Sequence, residues 1–411
     1  MAIENEDQYD IVIAGGGMIG TSLALALAPL RLRVAVVEAV AREAASQPSF
    51  DDRSTALSRS SRRMFEAMGL WDEVDAASTP IASIHVSDRG RFGFSHIDAA
   101  GERVEALGHV VVNRVLGEVL RRHAAAAGNV HWICPGRITA LAGAPGRVAV
   151  EVAAGDGTRR LSCTLLVAAD GARSTVRRKL GIGASSIDYH QTALTGNVLP
   201  EIPPANRAFE RFTAEGALAL LPSADARAAF VWILPTPEAE AVGTSSDNAF
   251  LQALQTTFGY RLGRFRRVGR RVGYPLTLTR AERLWAERSV LVGNAAHGLH
   301  PVAAQGFNLG MRDVAALCDL VADARTASQD IGGERLLRAY ADWRRSDHRK
   351  VVWFTDGLVR LFGSRSPAVR VMRNLGMLGF DLIPGVRATF ARHTMGLAGR
   401  LPRLARGVPL L

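Results

Sequence analysis

A glycine-rich turn near the start of the chain narrows the fold more than any other feature. Tyr9–Ala14 (YDIVIA) is apolar and β-branched with no polar alternation, the pattern of a buried parallel strand. Gly15–Gly16–Gly17–Met18–Ile19–Gly20 follows, then a helical pattern from Thr21 to about Leu30 and a second strand, Arg33–Val37, ending at Glu38. This is G-x-G-x-x-G between strand and helix with an acid about 20 positions on. The glycines allow a tight turn, close approach of a pyrophosphate, and close packing of helix on strand. Glu38 can accept hydrogen bonds from a ribose diol. The pattern predicts a dinucleotide site without separating FAD from NAD.

A second stretch, Ser289–Asp313 (SVLVGNAAHGLHPVAAQGFNLGMRD), lies far along the chain. Val290–Val292 reads as a buried strand ending at Gly293. Small residues follow, then Gln305–Gly306–Phe307–Asn308–Leu309–Gly310 leads into a helical pattern at Val314, Leu317, Leu320 and Val321. Small residues beside a strand end let backbone approach a flat ligand. The helix behind them would offer its first N–H groups to an electron-rich partner.

With 411 residues, 48% hydrophobic and 22% charged, the chain is globular and long enough for two packed domains. Its three cysteines (Cys134, Cys163, Cys318) show no CxxC spacing, which disfavours a disulfide framework or a cysteine metal site and suits a reducing cytoplasm. The polar, acidic start MAIENEDQYD is unlike a signal peptide, and no apolar run reaches the roughly 18 residues of a spanning helix. Of the 50 basic residues only Lys179 and Lys350 are lysine, the rest being arginine. With no aromatic–basic interleaving, the net charge of +11 does not indicate nucleic-acid binding. The charge is uneven, however, since Val351–Leu411 holds nine Arg against two Asp, a net +7.

Between the two glycine-rich stretches, Arg53 stands just ahead of a helical pattern, placed either to clamp a phosphate or to pair with Asp51 or Asp52. Val110–Arg114 ends a strand and opens a helix, placing Arg114 near the strand's C-terminal edge. Short strands, His131–Cys134, Ile138–Leu141, Val148–Val152 and Leu161–Ala169, lead to Asp170, which would bind a ribityl hydroxyl or cap the helix behind it. Ile187–Arg280 is a strand-rich block without phosphate-binding loops, suited to cover a cofactor. Phe209, Phe212, Phe230 and Trp232 are its candidate pocket aromatics, with Phe212 and Trp232 the substrate-binding expectation. The expected architecture is α/β, a Rossmann-like cofactor domain (1–183 and 284–330), an inserted strand-rich (α+β) substrate domain (184–283) and C-terminal helices (331–411).

Together these stretches resemble the para-hydroxybenzoate-hydroxylase-like FAD monooxygenases. GGGMIG with Glu38, AADGARSTVRRKLGI and GNAAHGLHPVAAQGFNLGMRD occur in that family's order. DRSTALS (Asp52–Ser58), VVNRVLGEVL (Val111–Leu120) and Thr355–Asp356–Gly357–Leu358 with Phe362 are similar to its ubiquinone-biosynthesis hydroxylases. The resemblance implies that Gly15, Gly17 and Gly20 hold the FAD pyrophosphate and Glu38 the adenosine ribose. Arg53 and Arg114 would serve the phosphate or ribityl region and Asp170 the ribityl–isoalloxazine part. Asn294, Pro301, Gly306, Asn308 and Leu309 would line the isoalloxazine, with the helix N-terminus stabilising reduced flavin. Two positions depart from the family pattern: Asn294 replaces an acid, and Ala304 replaces a glycine, which strains the loop by roughly 1 kcal/mol if φ is positive there.

The implied reaction is aromatic hydroxylation with NAD(P)H as electron donor and O2 as oxidant, through a flavin C4a-hydroperoxide in a site that excludes water. Asn294 with Phe307 is most similar to the group that converts 2-polyprenyl-6-methoxyphenol to 2-polyprenyl-6-methoxy-1,4-benzoquinol. A sister hydroxylase acting at another ring position is the alternative, and a non-catalytic binder of FAD and prenyl chains is a more distant one. The flavin C4a would be the reactive centre. No general base emerges; His300, beside Pro301, is the one candidate and serves equally as loop structure. His297 and His300 have a metal-like spacing, but Gly298 and Pro301 interrupt a helix there and no third ligand is evident, so no metal is expected. A polyprenyl tail requires a pocket open to a membrane or a lipid-presenting partner. Val369, Val371, Met372, Leu375, Leu378 and Leu382 share one helical face with Arg370 and Arg373 at its edge, for an anionic bilayer surface or for packing on the core, a dimer partner or other ubiquinone-biosynthesis proteins.

Overall fold

The computed structural model describes residues 7–41, 51–90, 94–155, 157–298, 305–363 and 384–411. The chain opens with β1 (Asp7–Ala14), α1 (Met18–Leu27), β2 (Val34–Val37), β3 (Ser54–Ser58), α2 (Arg59–Ala67), α3 (Trp71–Asp75) and β4 (Ser78–Ile81). Next come β5 (Ser83–Asp88), β6 (Phe94–Asp98), β7 (Gly108–Val112), α4 (Asn113–Ala126), β8 (Val130–Ile133), β9 (Arg137–Ala144), β10 (Arg147–Ala154), β11 (Gly157–Ala168) and α5 (Thr175–Lys179). The middle holds β12 (Ala184–Pro200), β13 (Arg207–Phe212), β14 (Ala217–Pro222), β15 (Ala228–Pro235), α6 (Thr236–Thr244), α7 (Asp247–Phe258), β16 (Phe265–Val268) and β17 (Val272–Ala281). The last part is β18 (Trp285–Ala286), β19 (Ser289–Leu291), β20 (His297–Gly298), α8 (Gln305–Thr326), α9 (Glu334–Gly363) and α10 (Pro384–Thr394).

The first sheet has a parallel centre in the order β19-β11-β1-β2-β8, with the antiparallel β9–β10 hairpin built onto β11. Its inner strands are apolar on both faces because both are covered, which is why YDIVIA carries no alternation. Ile11, Ile13, Leu165 and Val290 pack toward α1 and α8, while Val12, Leu166 and Leu291 pack toward the β9–β10 side. Each of these side chains is fully buried, worth about 1.5–3 kcal/mol relative to exposure.

The second sheet has nine strands, with the path β20-β17-β12-β15-β14-β13-β5-β6 and β16 paired to β12. Helices α6, through Ala239, and α7, through Phe250, Leu254 and Phe258, cover one face. One feature differs from the sequence expectation. Residues 83–98, placed in the cofactor part, join this sheet because β5 pairs parallel with β13. The block's two helices supply its expected α component, α7 being started by Ser246, whose side chain accepts from the Ala249 N–H. A small third sheet, β3-β7-β4, lies at the junction of the two large ones.

Candidate active site

The fingerprint forms a cradle that only glycine allows. Gly15 has φ +102°, and a Cβ there would stand 2.6 Å from the Ala169 carbonyl oxygen. At Gly20 a Cβ would stand 1.9 Å from the Gly15 carbonyl oxygen. Gly17 is the N-cap of α1 and lends no side-chain cap, so the first-turn N–H groups of this helix are presented to an incoming group. Glu38 closes the cradle, its Oε2 accepting from the Gly16 N–H at 2.6 Å and its Oε1 from the Val40 N–H at 2.8 Å. A carboxylate has further lone pairs for a diol. The cradle fits a dinucleotide pyrophosphate on geometric grounds.

The late glycine-rich stretch packs directly on this cradle. Gly293 (φ +57°) and Gly310 both abut Ile19, where added Cβ atoms would lie 3.2 and 2.8 Å from its side chain. Small residues thus let α8 descend onto the first turn of α1, joining the two ends of the chain. Asn308, nearly buried at the start of the 22-residue α8, braces a third segment. Its Oδ1 accepts from the Ser58 N–H and the Ser61 hydroxyl, both at 2.8 Å, and its Nδ2 donates to the Ala56 carbonyl at 2.9 Å. Its side chain is therefore structural, which leaves the backbone of the first turn, with Gly306 and buried Leu309, as what it offers a ligand. Asn294 is exposed beside this turn. His300, Pro301 and Ala304 lie outside the described residues, as do Val369 to Leu382.

Asp170 sits against the fingerprint by its backbone, its Cα 2.9 Å from where a Gly15 Cβ would be. Its carboxylate turns to α5, accepting from the Thr175 and Val176 N–H groups at 2.8 and 3.1 Å and from the hydroxyls of Thr175 and Ser174. Capping is thus its role here. Arg53 pairs with Asp51 at 2.6 Å and lies over the Tyr274 ring, while Arg114 pairs with Asp52 at 3.2 Å in an exposed position. Asp51 also accepts from the Tyr274 hydroxyl at 3.1 Å and the Asn113 amide at 3.3 Å. This cluster ties the second sheet to the nucleotide-binding part.

Tyr274 therefore shows which face of the second sheet looks at the Asp51–Arg53 segment. In register with it run Ala193, Ile233, Ala217 and Phe212, and opposed side chains share a face. Phe212 faces inward. Trp232 occupies the other face, buried against Phe250 with ring centroids 5.7 Å apart, in the core that Phe209 and Phe230 share with α7. The two candidate aromatics are not brought together.

A buried charge cluster behind the late motif escaped the sequence reading. Asp313, fully buried on α8, accepts four hydrogen bonds: from the Gly293 N–H at 3.0 Å, His297 Nε2 at 2.8 Å, Arg344 Nε at 2.7 Å and His348 Nε2 at 2.7 Å. Burial opposes its ionisation, but His348, Arg344 and His297 around it hold its carboxyl well below the usual range. Burial pushes His348 down to about 4 against the pull of Asp313, so it donates as a neutral ring at pH 7. Asp347 pairs with both Arg312 (2.8 Å) and Arg344 (2.7 Å). His297, Asp313 and His348 offer ligand atoms within 4.8 Å of one another, but a guanidinium already occupies Asp313, and the arrangement is that of an ion-pair network. It fixes the turn carrying Asn294 to α9. The signal in sequence was Arg344, Asp347 and His348 at i, i+3, i+4 spacing on one face of α9.

Comparison with known proteins agrees with this geometry. A family model described as "FAD binding domain" matches residues 8–355. The chain is 36% identical to a ubiquinone hydroxylase, UbiL, of Rhodospirillum rubrum, over 98% of this chain and 93% of that one. It is 32% identical to the 3-demethoxyubiquinol 3-hydroxylase of Escherichia coli, over 94% and 98% respectively. Among solved structures, p-nitrophenol 4-monooxygenase PnpA from Pseudomonas putida superposes with a TM-score of 0.80 over 96% of this chain and 99% of that one. At 19% identity that likeness speaks to the fold alone.

Proposed function

We propose, for a chain that belongs to the FAD binding domain family and is an FAD-dependent aromatic monooxygenase, that its substrate is the ring of a polyprenylated phenol of ubiquinone biosynthesis. The observation that carries the reading is the union of the two glycine-rich stretches. A pyrophosphate cradle and a helix N-terminus meet at Ile19, and the face of the second sheet that carries Phe212 and Tyr274 is tied to the same part of the chain through Asp51. A dehydrogenase would have no use for the second half of that arrangement.

In this reading Gly15, Gly17, Gly20 and Glu38 hold the FAD diphosphate and ribose. The backbone at Asp170 and the Arg53 and Arg114 side chains flank the cofactor's middle. The first-turn backbone of Gly306, Asn308 and Leu309, with Asn294 beside it, would line the flavin ring. FAD, when bound, supplies the two-electron chemistry that draws on NAD(P)H and delivers one oxygen atom of O2. The residues of this chain bind, orient and enclose. First-turn N–H groups of α8 favour negative charge at the flavin edge. The Asp313 network keeps that edge rigid, and the apolar side chains around Phe212 exclude water from the reacting ring.

Asn294 with Phe307 supports 2-polyprenyl-6-methoxyphenol as the phenol. The 32% identity with 3-demethoxyubiquinol 3-hydroxylase supports another ring position as the second reading. Among the described residues no helix is long and apolar enough to cross a membrane, and the net +7 of residues 351–411 supports contact with an anionic lipid surface through which the tail enters. Mass spectrometry of products formed from each phenol under labelled O2 tests the assignment. One labelled oxygen at the 1,4-benzoquinol position supports the first reading and at the demethoxy position the second, while peroxide without labelled product refutes both.

A further inference from the structure

Glu210 stands in the middle of β13, where the mechanism above gives it no role. Its ladder partners are Val86 on β5 and Ala219 on β14, and the same row continues through Val231 and Thr195 to Val272 on β17. The adjacent row on that face is Phe212–Ala217–Ile233–Ala193–Tyr274, the one whose tyrosine reaches Asp51. Register therefore places Glu210 on the inward face, beside Phe212. On its other side Ala208 belongs to an apolar cluster with Ala56, the residue whose carbonyl Asn308 holds. The acid lies between the pocket aromatic and the segment braced by the flavin-edge helix.

Its side chain is half-buried. Among the described residues it has no hydrogen-bond or ion-pair partner, and burial pushes its carboxyl up to about 7. The ionisable groups on the neighbouring elements do not neutralise it. His85, Arg207 and Arg211 face the other side by alternation, and His109 on β7 is turned onto Trp71. Arg392 and His393 on α10 are exposed, and β14 contributes none. Asp88, opposite Phe212, is the one other acid on this face by register. An unpaired acid among apolar side chains costs stability, and such a group in a cleft points to chemistry.

We propose that Glu210 is the proton acceptor for the substrate phenol, an inference that rests on the hydroxylase reading above. The Glu210 carboxylate takes the phenolic proton: the O–H bond breaks, its electron pair stays on oxygen and is shared into the ring, and an O–H forms on Glu210. The ring, richer at its ortho and para carbons, gives an electron pair to form a C–O bond with the incoming hydroxyl oxygen as the O–O bond to that oxygen breaks. The ring becomes a hydroxycyclohexadienone, and the second oxygen atom of O2 leaves with the bond pair and is protonated from solvent to water. Loss of the ring proton to solvent and return of the Glu210 proton to the carbonyl oxygen restore the aromatic diol and the carboxylate. A base near neutrality suits this task.

The test uses the FAD-loaded protein and the variants Glu210→Gln and Glu210→Asp, with FAD content and circular dichroism as controls. Without reductant, ultraviolet difference spectra follow ionisation of the bound phenol against pH. The expected result is an apparent phenol pKa raised on binding to wild type, where the ionised carboxylate holds the phenolic proton and repels a phenolate, and returned toward its solution value in E210Q. In turnover, E210Q should lose kcat on the order of 100-fold or more with little change in KM, lose the limb near pH 7, and be partly rescued in E210D. Retention of activity within about threefold with an unchanged pH limb in E210Q would overturn the proposal. So would a wild type that leaves the bound phenol's pKa at its solution value and shows a flat profile from pH 6 to 8, which needs no variant to fold. A wild type that binds the phenols but hydroxylates none of them refutes the hydroxylase reading itself, and the proposal with it.

Discussion

Replacing Asp313 by Asn probes how the flavin edge is held. The carboxylate accepts from four donors while fully buried: Gly293 N–H, His297, Arg344 and His348. An amide accepts through one oxygen only, and its NH2 group faces donors with nothing to give them. Whichever way Asn is turned, two buried donors lose their acceptor, at about 1–3 kcal/mol each. Arg344 loses one counter-charge but keeps Asp347 at 2.7 Å, which places the total near the lower end of the 3–5 kcal/mol typical of a broken buried pair, about 3 kcal/mol. Denaturant unfolding of D313N at pH 7 should show this as a lower midpoint with little change in slope. Since Asp313 anchors the Gly293 N–H, flavin fluorescence titration should also show weaker FAD binding. The sign against pH follows from the depressed carboxyl. Its stabilisation is fully present above the unfolded value near 3.8 and is lost as pH falls through the lower folded one, so the gap between wild type and D313N should persist from pH 5 to 8 and close only in strong acid. A variant within about 0.5 kcal/mol of wild type at pH 7 would refute the claim that this network is a stabilising brace.

Three further outcomes are expected. Gly20→Ala drives a Cβ to 1.9 Å from the Gly15 carbonyl oxygen, so it should abolish FAD retention on purification, and full FAD occupancy would contradict the cradle. Glu210, with its carboxyl raised from 4.5 to about 7, weakens the fold as pH rises through that interval, because the unfolded chain ionises first; E210Q should therefore gain in melting temperature over wild type at pH 8 and much less at pH 5, and an equal gain at both would refute a buried, unpaired carboxyl. Sedimentation with vesicles should show binding to anionic but not zwitterionic lipid, reduced by salt, and loss of this on removing residues 364–411 would place the contact in the basic tail.

What the sequence revealed and concealed follows from range. GGGMIG is a local device, since each glycine answers to a contact within a strand–turn–helix unit, and its strands and helix lie where their apolar pattern predicts. The late motif was legible for the same reason, though not the fact that Gly293 and Gly310 meet Ile19. The Asp313 cluster depends on α9 returning across α8, and a lone Asp in GMRD carries no mark of the histidines and arginine it will meet. Residues 83–98 fell within the 1–183 range, and their membership of the second sheet stayed hidden because a parallel pairing with β13 leaves no trace in either strand alone. The faces of β13 and β15, by contrast, could have been sorted. Phe209 and Phe212 are an odd number of residues apart and must oppose each other on a strand, whereas Glu210 and Phe212 must share a side. Attention to aromatic residues passed over the acid between them.

The most direct test of the central claim is an anaerobic reduction experiment on the purified protein. Its visible spectrum is recorded alone and then after NADH, with and without 2-polyprenyl-6-methoxyphenol. The account predicts flavin absorption bands that bleach faster when the phenol is present, because the substrate seat and the flavin seat share one enclosure. A folded protein that neither carries nor takes up FAD, or a flavin whose reduction ignores every phenol offered, would contradict it, and a binding role for prenylated molecules would then replace the enzyme.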